Sequence, residues 1–211
     1  MSNPPASAAP VEGAHRVLPP HPKTAGLVIL AFTALLYLVE VVDLALHGRL
    51  DRDGIMPRTL SGLDGVVWAP LLHGGWAHLF SNTVPVLVFG FLAMATGIVR
   101  WIAVTATIWV VSGFGVWLTG DSGTTTIGAS GLAFGWLAYL LVRGIFTRSF
   151  AQLVVAGILL LLWGGTLWAL LPGNPGVSWQ AHVFGALGGV LAAWFAARSD
   201  RRRAAPGTLA A

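Results

Sequence analysis

Six stretches nearly free of charge run through the chain, at about Ala25–Leu46, His78–Gly97, Trp101–Leu118, Ser130–Val142, Leu153–Leu171 and Ala181–Ala197. A helix needs about 20 apolar residues to cross a hydrocarbon core roughly 30 Å thick. Most of these stretches come near that length, so they predict an all-α, polytopic membrane protein with six transmembrane helices. The charge content agrees: 9% of the 211 residues are Asp, Glu, Lys or Arg. A soluble domain carries about a quarter, and so few charges could not keep a water-facing surface in solution.

Residues 1–24 are proline-rich and lack an apolar run, so they read as a polar tail. The first apolar segment is too long for the core of a signal peptide and stays as an anchor. The membrane domain then covers residues 25–197, and residues 198–211 form a basic tail containing Arg201, Arg202 and Arg203. The formal charge of +4 is not gathered into the basic stripe that nucleic acid would require. It is read instead as fixing orientation in the bilayer. Arg16, Lys23, Arg100, Arg143, Arg148, Arg198, Arg201, Arg202 and Arg203 share one side, against Arg49, Arg52 and Arg58 on the other. The positive-inside rule then puts both termini in the cytoplasm of a cell-membrane protein, and the even-numbered spans start at the outer face.

The fourth span departs from the rest. Thirteen residues from Ser130 to Val142 make about 20 Å of helix, some 10 Å less than the core. The Gly/Thr-rich stretch Gly120–Gly128 must then dip into the membrane. Irregular backbone at that depth needs partners within the protein or a wet cavity. The expectation is a cavity open to the outside, with Ser130 on its floor. The long connection from His47 to Ala77 should hold short interfacial helices, with Trp68 and Trp76 in the headgroup layer.

Polar residues gather where the even spans begin. The second opens with His73, His78 and Asn82, the fourth with Gly128-Ala129-Ser130-Gly131, and the sixth with Ala181-His182 followed by Gly185 and Gly189. Singly, each has a plain explanation: a serine caps a helix, glycines four apart let helices pack, and a histidine sits at an interface. Asn82 is harder to explain so, because an amide one turn inside a span needs a partner or a cavity. Together they suit one chemistry. Serine becomes a nucleophile when a base takes its proton, and histidine does so near neutral pH. Packing the Gly131/Gly135 face on the Gly185/Gly189 face would bring Ser130 to His182. His78 and Asn82, one turn apart, would offer donors to an oxyanion. No buried acid suggests itself as a third member. Glu40 and Asp43 are expected to pair with Arg49, Arg52 or Arg58. With no cysteine in the chain, thiolate metal sites are excluded, and no metal or cofactor is expected.

These three motifs, in this order on the second, fourth and sixth spans, resemble those of the rhomboid intramembrane serine proteases in their six-helix bacterial form, from about Ala25 to Ala197. The resemblance implies a bundle around a short central fourth helix. It gives Ser130 the role of nucleophile and His182 that of base. His78 and Asn82, with the Ser130 N–H and the Gly128 segment, fall to oxyanion and substrate binding, and His73 to a water or pocket role. Phe134 stands where the family often has a tyrosine stacked on the histidine. The implied substrates are transmembrane or membrane-associated proteins, cut near a small residue. Two other readings compete: a non-cleaving rhomboid-like binding factor, which typically lacks the serine or the histidine, and a small channel, which would spread polar groups across the membrane depth.

Overall fold

The computed structural model describes residues 13–204. The outer parts of the two expected tails, residues 1–12 and 205–211, lie outside the described residues. Six helices are long and apolar enough to cross a membrane: Pro22–Ala45, Trp76–Thr96, Ile98–Thr119, Ser130–Thr147, Phe150–Leu170 and Trp179–Ala204. We number the α-helices α1 (Pro22–Ala45), α2 (Gly65–Trp68), α3 (Trp76–Ala93), α4 (Ile98–Thr119), α5 (Ser130–Thr147), α6 (Phe150–Trp163) and α7 (Trp179–Ala204). A 3-10 segment, Gly164–Leu170, continues α6. Among the described residues the only extended pairing is an isolated bridge between Ile55 and Thr126.

Helix α5 is the centre of the bundle and α6 its outermost member: 56% of the α5 window is buried, against 11% for the α6 span. Trp136, fully buried in the middle of α5, stacks on Trp101 of α4 and donates its indole N–H to Thr105 at 3.0 Å. That bond satisfies the one polar atom of a large ring with no water to turn to. The glycine faces meet as expected. A Cβ on Gly185 would sit 2.1 Å from the Gly131 carbonyl oxygen, and one on Gly189 would sit 2.0 Å from that of Gly135. Helices α5 and α7 therefore touch backbone to backbone, as small-residue packing in lipid allows.

The fourth span is the shortest of the six but longer than read from sequence. It runs 18 residues, to Thr147 and not Val142, about 27 Å. The shortfall against the core is thus a few ångströms and not ten. The cause is Arg143, which was expected in a turn but lies buried inside α5. Its guanidinium donates to the Arg16 carbonyl and lies over the Tyr139 ring, 5.7 Å from the centroid. Gln152 holds the same N-terminal segment, donating to the carbonyls of Ala14 at 2.8 Å and Arg16 at 3.1 Å.

The long connection holds short 3-10 turns at Leu50–Asp53, Leu60–Gly62 and Ala69–Leu71, besides α2. Trp68 and Trp76 are partly exposed there. Two indoles pin the connection to α4, Trp109 donating to the Val66 carbonyl at 2.8 Å and Trp117 to that of Thr59 at 2.9 Å. The expected pairing of acids with arginines does not form. Arg58 donates instead to the carbonyls of Leu118 and Gly120 and to Ser122, while Asp43 accepts from the Leu50 N–H at 2.7 Å. Backbone groups at these helix ends need partners, and they outcompete side chains of opposite charge. Asp51, close to Asp43, has its carboxyl pushed up to about 6 by burial first and by the Asp43 charge second.

Candidate active site

Ser130 is the first residue of α5, and Ala129 is the N-cap position. The serine therefore does not cap the helix, and its hydroxyl is left for another partner. That partner is His182, whose Nε2 lies 2.9 Å from the Ser130 Oγ. His182 sits in the first turn of α7, held there by Ser178, whose hydroxyl accepts from the Ala181 N–H at 3.3 Å. On the opposite side of the ring, Nδ1 is 2.9 Å from the Ala169 carbonyl. A carbonyl can only accept, so the imidazole proton resides on Nδ1 and the Nε2 lone pair faces the serine. This is the tautomer a general base requires. Phe134 stacks on the ring, with centroids 4.1 Å apart and planes 13° from parallel. Two hydrogen bonds and one stacked face hold the imidazole in place.

The two other histidines of the site, His73 and His78, carry complementary tautomers. The Gly74 N–H donates to His78 Nδ1 at 3.3 Å, leaving its proton on Nε2. That nitrogen lies against Gly128: a Cβ there would be 2.7 Å from it, and the backbone φ of +119° also favours glycine. Asn82, nearly fully buried, donates to the His78 carbonyl at 2.9 Å, within its own helix and not to a neighbour. The second N–H of its amide remains for a ligand. His73 is buried and its ring meets that of His78 edge to face, 5.1 Å between centroids. Its Nε2 accepts the Ala129 N–H at 3.3 Å, so it fastens the backbone immediately before Ser130.

His78, Asn82, Ser130, Phe134 and His182 line one cavity of about 680 Å³, together with Ile127, Trp163, Trp168 and Asn174. Sequence reasoning did not find the last four or Ala169. Of the Gly120–Gly128 stretch, Ile127 lines the cavity while Asp121–Thr125 are exposed. The deep dip expected from a 13-residue span is thus not required, and the end of the stretch is tied by backbone bonds. Ile55 and Thr126 exchange two bonds of 3.0 Å, and the Gly128 N–H donates to the Ala69 carbonyl at 2.8 Å. Ala133 and Leu137 also line the cavity, and they and Trp136 belong to the buried apolar core of the bundle.

Burial, and secondarily the neighbouring His78, push the His73 imidazole from its ordinary 6.5 down to about 4. Between those values the unfolded chain binds a proton that the folded chain does not, so stability falls as pH drops through that window. The full effect is about 3 kcal/mol. His73→Gln keeps an acceptor without a titrating group. Its melting temperature should therefore decline less than that of wild type between pH 7 and pH 5, and parallel declines would remove His73 as the cause.

Residues 62–199 match the family model of the Rhomboid domain. The chain is similar to an uncharacterised protein of Mycobacterium tuberculosis, 48% identical over 185 residues that cover 84% of this chain and 77% of the relative. It is similar to a putative rhomboid protease of Bacillus subtilis, 29% identical over 83% of this chain and 89% of that protein. A rhomboid-like protease of Toxoplasma gondii is 28% identical over 74% of this chain, which corresponds to 21% of its own length.

Proposed function

Because the chain belongs to the rhomboid family, we propose that it is an intramembrane serine endopeptidase working through a Ser130–His182 dyad. The observation that carries this reading is the 2.9 Å contact between Ser130 Oγ and the unprotonated Nε2 of His182. His182 takes the hydroxyl proton as Oγ attacks the substrate carbonyl carbon. The resulting oxyanion is received by the Ser130 N–H, the His78 Nε2–H and the Asn82 amide, with the positive end of α5 directed at it. His182 then gives its proton to the leaving amine, and water hydrolyses the acyl-enzyme with the same base. The Ala169 carbonyl does the orienting work of a third acid. It accepts from Nδ1–H and so keeps Nε2 free. A non-cleaving binding role is less well supported, since both reacting groups are present and in contact.

The substrates are proposed to be transmembrane or membrane-associated proteins unwound near a small residue. The test is a serine-directed fluorophosphonate, with the adduct mapped by mass spectrometry, beside cleavage of a model transmembrane substrate. An adduct on the peptide containing Ser130 is the expected result. An adduct confined to another serine would overturn the dyad.

Orientation is proposed from charge. Without Arg143, which lies in the bundle, eight basic residues against three still favour cytoplasmic termini and an outward-facing cavity. Single cysteines introduced into this cysteine-free chain report it. A cysteine beside Asp53 should react with an impermeant thiol reagent in intact cells, and one after Arg203 should not. The reverse pattern would turn the protein over.

Asn82→Ala separates oxyanion binding from packing. The amide bonds only within its own helix, so its loss should leave the melting temperature almost unchanged. Turnover should fall by about 10²–10³, with a smaller change in KM. A destabilised variant with normal turnover would assign Asn82 to packing.

A further inference from the structure

At the membrane face opposite the Ser130 cavity, α4 and α7 leave a groove that the proposed chemistry does not use. Its volume is about 390 Å³. On one side its wall is built by Val99, Arg100, Ala103, Val104 and Thr107 of α4, with Thr96 from the turn before it, and on the other by Ala192, Phe195, Ala196, Ser199 and Arg203 of α7. Each set recurs at three and four residues, so each is a single helix face. The α7 set runs over 12 residues, Ala192 to Arg203, and the α4 set over nine, Val99 to Thr107, about 16 Å and about 12 Å of helix against half of a 30 Å hydrocarbon core. The groove therefore has the depth of one leaflet. Ala103, Val104, Ala192, Phe195 and Ala196 give it apolar walls, with Thr107 at its deep end.

Its mouth is cationic. A second cavity of about 670 Å³ shares Phe195, Ser199 and Arg203 with it and adds Arg198 and Arg202. Asp200 forms a two-pronged ion pair with Arg100, at 2.5 and 2.6 Å, so the one acid at the mouth is already engaged. Arg198 is held over the Trp194 ring, 5.4 Å from its centroid, while Arg202 and Arg203 are exposed. A slot one leaflet deep, apolar below and cationic above, matches an amphiphile with an anionic head.

We propose that this groove is a binding site for an anionic phospholipid of the bilayer, one acyl chain lying between α4 and α7 and the phosphate resting against Arg198, Arg202 and Arg203. Basic clusters at membrane surfaces attract anionic headgroups. The apolar slot adds a seat that a diffuse field lacks. The site rests on the membrane fold alone and not on the proteolytic reading.

Native mass spectrometry of the full chain, with phosphatidylglycerol and phosphatidylcholine supplied together, tests the proposal. Wild type should retain one phosphatidylglycerol with a preference of at least about ten-fold. Arg198→Gln/Arg202→Gln/Arg203→Gln should bring that preference close to parity. Ala103→Phe fills the slot without changing any charge, and it should lose the retained lipid. Equal retention of the two lipids by wild type, or unchanged retention by Ala103→Phe, would overturn the site. Soluble glycerol phosphate should not displace the lipid, and displacement would mean that the acyl chain contributes nothing. Wild type also gives an answer that does not depend on the folding of any variant. Phosphatidylglycerol carrying a photoreactive group in its acyl chain should label the segments around Ala103 and Ala192. Labelling spread evenly over the lipid-facing helices would reject the seat.

Discussion

Ser130→Ala is expected to lower cleavage of a transmembrane substrate by about 10⁴–10⁶-fold and to abolish fluorophosphonate labelling, with little change in melting temperature. The hydroxyl touches His182 and caps no helix, so its removal costs no more than one hydrogen bond, about 1 kcal/mol. His182 keeps its bond to Ala169 and its stack on Phe134 in that variant. His182→Ala should be equally inactive, because an unactivated serine is a weak nucleophile. It should also be less stable, since the aromatic stack and the Ala169 bond are lost with the ring. The two variants thus share an activity and differ in stability. Turnover within ten-fold of wild type in either one would dismiss the dyad.

The second large effect is expected at a residue with no functional group. Gly185→Ala places a methyl 2.1 Å from the Gly131 carbonyl oxygen. The obstacle is backbone, so no rotamer change relieves it, and α5 and α7 must move apart. Overpacking typically costs about 1–3 kcal/mol, and the upper end applies where two main chains are in contact. The catalytic loss should be larger than the folding loss. Ser130 precedes Gly131 by one residue and His182 lies one turn before Gly185, so the same contact sets the 2.9 Å between hydroxyl and imidazole. A shift of about 1 Å in reacting groups can cost about 10²-fold. Gly157→Ala is the control, since nothing lies within 4 Å of its Cβ position. Turnover and thermal melting in detergent decide the matter. A Gly185→Ala protein as active and stable as the control would show that the close approach is not needed.

Both expectations draw on features that sequence shows well. Spans are legible because hydropathy is a local property. The glycine pairs are legible because four-residue spacing marks one helix face wherever the helix goes. Parity of the spans was enough to bring His78, Ser130 and His182 to one level, and the structure places them around one cavity. What stayed hidden involves main-chain atoms. Ala169 orients His182 through its carbonyl, and a backbone acceptor has no residue signature at all. The Ala129 N–H that gives His73 a purpose is equally silent. Arg58 and Asp43 bond to backbone, where sequence could only match charge to charge. Arg143 looked like the end of a helix because a charge in lipid is costly. Its burial depends on the Arg16 carbonyl, 127 positions away. The one local hint was Tyr139, four residues before it and so on the same face.

The Ala169 carbonyl lies on the 3-10 continuation of α6, the helix that shares the least surface with the rest of the bundle. The proton address of the proposed base is therefore written by the least buried of the six spans. Should α6 swing aside to admit a substrate, Nδ1 would lose its acceptor and the proton could occupy either nitrogen. Molecules with the proton on Nε2 would point an N–H, and not a lone pair, at Ser130. An opened enzyme would then be a disarmed one until the helix returned, and access and reactivity would alternate like the two positions of a latch.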